Sequence, residues 1–304
     1  MVAFISDDRD DRDLRYLSEM VRERGIELVT MTPDDLSIRI DERGGRFWNR
    51  GVPIQPDLVV GWVREKWIRR GAHQIETFER LGVPVLNPAG LLMRSHSPYS
   101  KSVLLHAAGV PHAPLVAGRN APAVIDLARE SGYPVVAKPV VNPSASGGPF
   151  GNAVMFDDEG TVGEFLGEQA ASQFFYTQSR LRRPGRSFRV FCINHQPVVS
   201  LLTSAGGRAT LMDPAPWDVV TVAEQASRAV AGWSSLVDLV EDIEEGRLRV
   251  TDVSVCPRPE PDLVLAAARS AALLAQADAL SVAANDGIEV LLRWRPSRVV
   301  QDLT

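Results

Sequence analysis

One lysine, Lys138, stands inside an otherwise apolar run from Val135 to Val141. An ammonium group in such a strand must either extend to solvent or meet an anion. The loop that follows carries Gly147, Gly148 and Gly151, and glycines let backbone N–H groups approach phosphate oxygens closely. The lysine and the glycine loop together predict a phosphate-binding site. An exposed lysine on an edge strand, followed by an ordinary surface turn, is the other interpretation, because the sequence has neither a Walker loop nor a dinucleotide fingerprint.

The elements around this lysine are predicted to form a hairpin-like unit over the glycine loop. Tyr133 to Lys138 has the pattern of a buried strand, and Asn152 to Phe156 would return as its partner. Upstream, Ser100 to Ala108 has the pattern of a helix. Downstream, Phe188 to Ile193 and Val198 to Leu202 predict a strong antiparallel hairpin.

The two ends of the chain show different patterns. The first ninety residues alternate strand and helix signals, which is typical of a parallel sheet covered on both faces. The last third predicts two long helices, about Val220 to Glu245 and Asp262 to Ala279, on either side of a strand, Leu248 to Val255. Two further strands, Gly287 to Leu292 and Val299 to Thr304, are predicted to close the chain.

Composition limits the class of partner. The 304 residues are 45% hydrophobic, and 33 Lys and Arg nearly balance 38 Asp and Glu, so no global field favours nucleic acid or an anionic membrane. Two cysteines without metal-ligand or redox spacing exclude a disulfide framework, and the opening residues lack the apolar stretch of a signal peptide. These features predict a globular cytoplasmic protein with small partners, and five scattered histidines without metal-ligand spacing are expected to be structural or solvated.

Several stretches, in order along the chain, resemble ATP-grasp carboxylate-amine ligases. The subgroup with the greatest resemblance contains ribosomal-protein glutamate ligases and the amino-group-carrier ligases of lysine biosynthesis. The stretches are Glu76 to Pro88, Lys101 to Pro111, Gly132 to Val140, Phe175 to Gln178 and Pro184 to Phe191. The resemblance implies an α/β (α+β) ATP-grasp fold with an N-terminal parallel-sheet lobe (1–95), a small central lobe (96–180) and a C-terminal antiparallel-sheet lobe (181–304). ATP would lie between the antiparallel sheets of the last two lobes.

The same resemblance assigns the phosphate contacts residue by residue. Lys101 and Lys138 fall on the family's two phosphate-contacting lysines. Gly147, Gly148 and Gly151 fall on the flexible loop that lies over the phosphates. Positive charge and backbone N–H groups suit this role, because attack on a terminal phosphoryl group brings like charges together.

The adenine and acyl-phosphate positions are assigned with some departures from the family pattern. Gln178 and Ser179 fall on the strand end that meets the adenine, where the family has Glu and an apolar or aromatic residue. Ser187 stands where an Asp is common, so hydrogen bonding is retained and charge is lost. Arg189 falls on an arginine close to the acyl phosphate, and Arg208 is a candidate to replace an arginine missing from the next strand.

Two segments compete to supply the metal ligands. The resemblance calls for an acid on one strand and a Glu-x-Asn pair on the next, beyond a helix. The preferred placement takes Glu289 and Asp302 as the acids, with Thr304 where Asn is expected. The rival placement takes Asp238 and the segment Asp252 to Ser254. Either placement keeps two carboxylates for Mg and loses the amide.

The resemblance implies an ATP-dependent ligase that joins a carboxylate to an amine through an acyl phosphate, with ATP and Mg as cofactors. The expected partners are a small-molecule carboxylate and amine, with a peptide or carrier protein as a further class, and neither nucleic acid nor membrane. A degenerate ATP-grasp protein that binds nucleotide or a partner without turnover is the alternative, because the Asn is absent and Gln178 and Ser187 are neutral. A peptide-modifying ligase with a peptide-binding element between Thr203 and Pro261 is a third hypothesis. Substrate identity and oligomeric state stay open, although relatives form dimers or tetramers.

Overall fold

The computed structural model describes residues 1–64, 67–118, 121–139, 154–169, 175–179, 184–204, 208–230, 232–259, 263 and 265–296. Within these ranges the strands form four sheets: one parallel sheet near the N-terminus, a small antiparallel sheet beside it, and two larger antiparallel sheets farther along the chain. No helix in the described ranges combines the length and apolar character needed to cross a membrane.

The parallel sheet is built where the alternating pattern predicts it. Its strands are β1 (Val2–Ser6), β2 (Leu28–Met31), β6 (Leu58–Trp62) and β7 (Val85–Leu86), and its helices are α1 (Arg12–Arg22), α2 (Ile68–Arg80) and α3 (Ala89–Ser95). The strand order β2-β1-β6-β7 places β1 and β6 in the centre, where every residue of both strands is buried. Helix α1 begins where the Asp11 carboxylate accepts the backbone N–H groups of Asp13 and Leu14.

A separate antiparallel sheet interrupts the alternation. It consists of β3 (Leu36–Asp41), β4 (Gly44–Asn49) and β5 (Val52–Ile54). Phe47 of β4 stacks on Phe78 of α2 with ring centroids 4.2 Å apart, which attaches this sheet to the core of the N-terminal lobe.

The central sheet contains the strand around Lys138, as predicted. The elements here are α4 (Pro98–Ala107), β8 (Leu115–Gly118), α5 (Ala121–Ser131), β9 (Val135–Pro139), β10 (Val154–Phe156), α6 (Glu159–Gln169) and β11 (Phe175–Ser179). The sheet order is β10-β9-β11-β8, and β10 pairs antiparallel with β9, so the predicted hairpin-like unit is confirmed. A small core of its own lies under the helices α5 and α6, formed by Val124, Ala128, Val135, Phe156 and Val162.

The C-terminal sheet has five antiparallel strands. The elements here are β12 (Pro184–Ile193), β13 (Gln196–Thr203), β14 (Ala209–Leu211), α7 (Trp217–Val230), β15 (Ser234–Asp242), β16 (Arg247–Val255), α8 (Ala266–Asn285) and α9 (Ile288–Leu291). The order is β14-β13-β12-β15-β16. The predicted hairpin is confirmed as β12 and β13, and the predicted strand at Leu248 to Val255 is confirmed within β16.

The long helix predicted for Val220 to Glu245 is wrong. Helix α7 ends at Val230, and Ser234 to Asp242 forms β15 between β12 and β16. Its buried residues Leu236, Val237 and Leu239 fit either a helical or a strand period when taken alone. The segment forms a strand because β12 on one edge and β16 on the other satisfy its backbone hydrogen bonds.

The strand predicted for Gly287 to Leu292 is also wrong. Ile288–Leu291 is a single helical turn, α9, which packs on α8. The second predicted strand, Val299 to Thr304, lies outside the described residues.

A buried amide joins the N-terminal parallel sheet to the C-terminal antiparallel sheet. Asn87, which is 2% exposed, donates from Nδ2 to the Gly61 carbonyl and accepts the backbone N–H of Trp233. Its own backbone carbonyl lies so close to Gly61 that a Cβ there would be 2.5 Å from the oxygen. The carboxyl end of β6 is therefore fixed against the start of β15.

Candidate active site

Among the described residues, no helix packs on one half of one face of the C-terminal sheet, and we call this part the uncovered half-face. Helix α7 packs on the face that carries Val190 and Val237. Helix α8 packs on part of the opposite face, together with Phe191 and Leu236. Beyond these residues the second face opens into a cavity of about 340 Å³, lined by Ser187, Phe188, Arg189, Leu201, Thr203, Ala209, Asp238, Leu239, Val240 and Thr251.

An arginine and an aspartate face each other across two strands of this half-face. Arg189 of β12 is in direct register with Asp238 of β15. Its Nε donates to Asp238 Oδ1 at 2.8 Å, and its Nη2 donates to Oδ2 at 3.3 Å. The side chains are 38% and 30% exposed, so the pair is accessible from the cavity. Such a two-point contact orients the guanidinium.

A second aspartate stands beside the first. Asp252 of β16 is in direct register with Asp238, and a bulge at this point leaves Thr251 as the extra residue. The Ser254 hydroxyl, two residues farther along β16, donates to Asp252 Oδ2 at 3.3 Å. Two carboxylates and one hydroxyl therefore lie close together on β15 and β16.

Lys101 reaches this pair from α4. The helix begins at Pro98, with the Ser97 hydroxyl accepting the backbone N–H of Ser100 as its cap. The ammonium of Lys101 donates to Asp252 Oδ1 at 2.6 Å and to the Val253 carbonyl at 2.9 Å. The two aspartates thus lie side by side on the half-face, with the Arg189 guanidinium against one and the Lys101 ammonium against the other.

The central sheet has a face on which no helix of the described ranges packs, and we call it the uncovered face of that sheet. Its register pairs Gln178 of β11 with Val136 of β9, and Met155 of β10 with the same Val136, so these positions share one face. Val135 and Phe156 alternate to the other face and pack under α5 and α6. Gln178 is 8% exposed and Met155 is 50% exposed. Position 138 lies opposite Tyr176, on the same side of the sheet as Gln178.

The predicted site residues differ in where the structure places them. Lys101, Ser187 and Arg189 are brought together on or against the half-face of the C-terminal sheet. Lys138 and Ser179 are placed by backbone register alone, on β9 and at the end of β11. Gly147, Gly148, Gly151 and Asp302 lie outside the described residues. Arg208 is exposed and immediately precedes β14.

The structure does not bring Glu289 to this half-face. Glu289 is exposed on α9, and the carbonyl of Leu291 on the same turn accepts Nδ2 of Asn194 at 2.6 Å. Asn194 follows Arg189 by five residues, so it lies about 16 Å away at the other end of β12. The segment was expected to be a strand beside the nucleotide, and its helical turn packs on α8 instead.

The acids of the rival placement lie next to each other in the fold, whereas Asp302 of the preferred placement lies outside the described residues. Asp238 and Asp252 to Ser254 lie on adjacent strands, after the helix α7, in the order that the resemblance requires. Thr203, directly opposite Ser187 in register, lines the same cavity and was not singled out from the sequence. Only the hairpin prediction could have found it, by extending the β12–β13 register one residue beyond Leu202.

Oxygen donors of this kind suit Mg²⁺, which takes a few protein oxygens and completes its shell with phosphate and water. Within the described residues, no cluster of three or more His, Cys, Asp or Glu side chains has a metal-binding arrangement. The two aspartates and the serine hydroxyl therefore fit a magnesium ion that is also held by a nucleotide, and not one held by protein groups alone.

Known structures with the same architecture are numerous. No protein-family model matches this sequence. The ATP-grasp ligase PsnB, solved with a minimal precursor, is similar with a TM-score of 0.70 and 18% identity, over 93% of this chain and 99% of that chain. PsnB has also been solved with minimal precursor, Mg and ADP.

Two other solved structures are similar over nearly their whole length. The RimK domain ATP-grasp protein of Sphaerobacter thermophilus DSM 20745 gives a TM-score of 0.66 and 18% identity, over 91% of this chain and 98% of that chain. D-cycloserine synthetase DcsG gives 0.65 and 18%, over 93% and 99%. The chain therefore has the ATP-grasp fold, and the predicted α/β fold class is confirmed.

Proposed function

We propose that this protein is an ATP-dependent ligase that joins a carboxylate to an amine through an acyl phosphate. The observation that carries the proposal is the row of Arg189, Asp238, Asp252 and Lys101 on the uncovered half-face of the C-terminal sheet. In an ATP-grasp fold this half-face and the uncovered face of the central sheet are the surfaces available to a nucleotide. Ligase activity is also what the names of PsnB and D-cycloserine synthetase state for those proteins.

The proposed chemistry has two balanced steps. A carboxylate oxygen of the first substrate attacks the terminal phosphorus of ATP, and ADP leaves. The amine then attacks the carbonyl carbon of the acyl phosphate, inorganic phosphate leaves, and the amine loses a proton. The first step brings two anionic groups together, and the second releases an anionic phosphate. The cationic side chains Lys101, Lys138 and Arg189 are therefore assigned to the phosphoryl and acyl-phosphate oxygens.

We assign the metal site to Asp238, Asp252 and Ser254, in place of Glu289 and Asp302. A magnesium ion bound there would neutralise phosphate oxygens during transfer. The aspartates would hold the ion from two neighbouring strands, and Ser254 would replace the usual amide as a neutral oxygen donor.

The remaining assignments concern the nucleotide. Gln178 and Ser179 would contact the adenine at the end of β11, and Ser187 with Thr203 would face the sugar and phosphates from the cavity. The segment with Gly147, Gly148 and Gly151 would cover the phosphates. We place the reaction in the cytoplasm, consistent with the free, buried thiols of Cys192 and Cys256.

The test is ADP release measured against a panel of carboxylate and amine pairs, with product mass determined by mass spectrometry. The proposal expects stoichiometric ADP and a condensed product from at least one pair. A protein that binds ATP with Mg²⁺ but releases no ADP with any pair would instead be the degenerate ATP-grasp protein. The absence of a third acidic ligand in the described residues is the observation that favours this alternative.

We further propose that one substrate is a peptide. PsnB has been solved with precursor peptides, and the C-terminal lobe here exposes Trp217 to 80% at the start of α7. A large exposed indole is a typical anchor at a protein interface. Arg208, exposed just before the edge strand β14, would attract an acidic side chain of such a peptide.

Substrate screening with acidic peptides tests this choice directly. Trp217→Ala is expected to raise the KM for a peptide substrate about tenfold and to leave the affinity for ATP unchanged. Turnover of free amino acids alone, with no peptide accepted, would contradict the peptide assignment without affecting the ligase assignment.

A further inference from the structure

The position of the Lys101 ammonium is defined by two partners. Nζ lies 2.6 Å from Asp252 Oδ1 and 2.9 Å from the Val253 carbonyl, and the lysine side chain is 13% exposed. Asp252 is 41% exposed, so its carboxylate is accessible to solvent while the ammonium is largely covered. The Lys101 ammonium is thus already paired with Asp252, the carboxylate that we propose as a metal ligand.

Each aspartate of the half-face already has a cationic partner among the described residues. Arg189 pairs with Asp238, and Lys101 pairs with Asp252, so two positive side chains face two negative ones. A divalent cation approaching Asp252 would meet an ammonium at less than ~4 Å, where like charges repel strongly even at a protein surface. The four side chains therefore attract no free divalent cation in their present pairing.

We infer that Lys101 and the divalent cation compete for Asp252, and that a bound triphosphate resolves the competition by drawing the ammonium onto its oxygens. Metal and nucleotide then bind as a pair, and the protein excludes free metal from the site. This inference rests on the proposed function, because it takes Asp252 as a metal ligand and Lys101 as a phosphate contact. It adds that Lys101 controls the metal site before the nucleotide arrives.

The decisive variant is Lys101→Met, which removes the charge and keeps most of the length of the side chain. Manganese, used as a paramagnetic probe, is titrated into nucleotide-free protein, and the free ion is measured by electron paramagnetic resonance. The variant is expected to bind Mn²⁺ about five- to tenfold more tightly than the natural protein. Thermal unfolding of each variant verifies that it is folded.

Arg186→Met is the matched control. Arg186 also forms an ion pair with a carboxylate of β15, Glu241, but it is exposed and stands apart from Asp252. This variant loses the same charge and is expected to leave Mn²⁺ affinity unchanged. Equal tightening in both variants would mean a general charge effect and would overturn the inference, as would an unchanged affinity in Lys101→Met.

A second titration separates this inference from the proposed function. With a non-hydrolysable ATP analogue present, the natural protein is expected to bind Mn²⁺ far more tightly than without it, and Lys101→Met is expected to lose most of that gain. If no variant binds the analogue, the proposed function fails, while the nucleotide-free titration still decides the competition. If Asp252→Asn binds Mn²⁺ as well as Lys101→Met does, the cation is not on Asp252 and the inference is wrong.

Discussion

Replacing Asp252 by Asn is the change that best distinguishes catalysis from folding at this site. The substitution keeps the shape of the side chain and removes one negative charge between Lys101 and Asp238. Lys101 keeps its hydrogen bond to the Val253 carbonyl, and Ser254 can still donate to the amide oxygen. The ion pair with Lys101 is therefore the contact that the substitution is designed to remove.

The expected effects on stability and on activity differ greatly in size. Asp252 is 41% exposed, so solvent screens the pair and its loss should cost about 1 kcal/mol of unfolding free energy, which lowers Tm by about 2 °C. Loss of a metal-binding carboxylate at the phosphoryl-transfer site should lower kcat about 100-fold or more. The variant should thus be nearly as stable as the natural protein and almost inactive.

Coupled-enzyme measurement of ADP release, together with a thermal melt, tests this expectation. Glu241→Gln is the control, because it removes a carboxylate from the neighbouring strand β15, where Glu241 pairs with the exposed Arg186. That variant should retain full activity. Activity of Asp252→Asn within about threefold of the natural protein, at saturating ATP and Mg²⁺, would refute the assignment of Asp252 to the metal.

Three other predictions concern the nucleotide site and stability. Gln178→Leu should weaken ATP binding about tenfold, as measured by calorimetry, since the buried amide is assigned to the adenine. Its kcat at saturating ATP should stay unchanged, and an equal loss of kcat would contradict this role. Arg249→Met should lower the free energy of unfolding, measured in urea, by about 3 kcal/mol, because Asp242 is 8% exposed and loses its charged partner. The double variant Arg249→Met with Asp242→Asn should recover part of this loss. If it recovers none, the ion pair does not stabilise the fold as argued. Burial lowers the pKa of His195, so the unfolded chain binds a proton that the folded protein excludes, and stability should fall as the pH drops below about 6.5. His195→Asn should show a shallower loss between pH 8 and pH 5.5, and an identical pH profile would refute the argument.

Much of the fold follows from local sequence pattern. The apolar run around Lys138 predicts β9, and the residues from Phe188 to Leu202 predict the β12–β13 hairpin, because a strand of buried residues next to a turn has few alternatives. The segment from Ser234 to Asp242, by contrast, has a pattern that predicts a helix, because nothing close to it in sequence favours a strand. Its apolar residues fit both periods, and β12 and β16, which make it a strand, lie far away in sequence.

The candidate site, too, was determined partly by the sequence and partly by the tertiary structure. The sequence by itself determined the order of the lysines, the glycine loop and Arg189, and these were sufficient to predict the ATP-grasp fold. It left two pairs of acids for the metal, because spacing along the chain does not say which strands are neighbours. Only the tertiary structure shows that the acids of one pair are neighbours, which is the basis of our proposal: cross-strand register places Asp238 beside Asp252, and α4 carries Lys101 to the same carboxylate across 151 residues of sequence. Backbone pairing and side-chain reach between distant segments are set by the packed fold as a whole, and no local pattern of residues contains them.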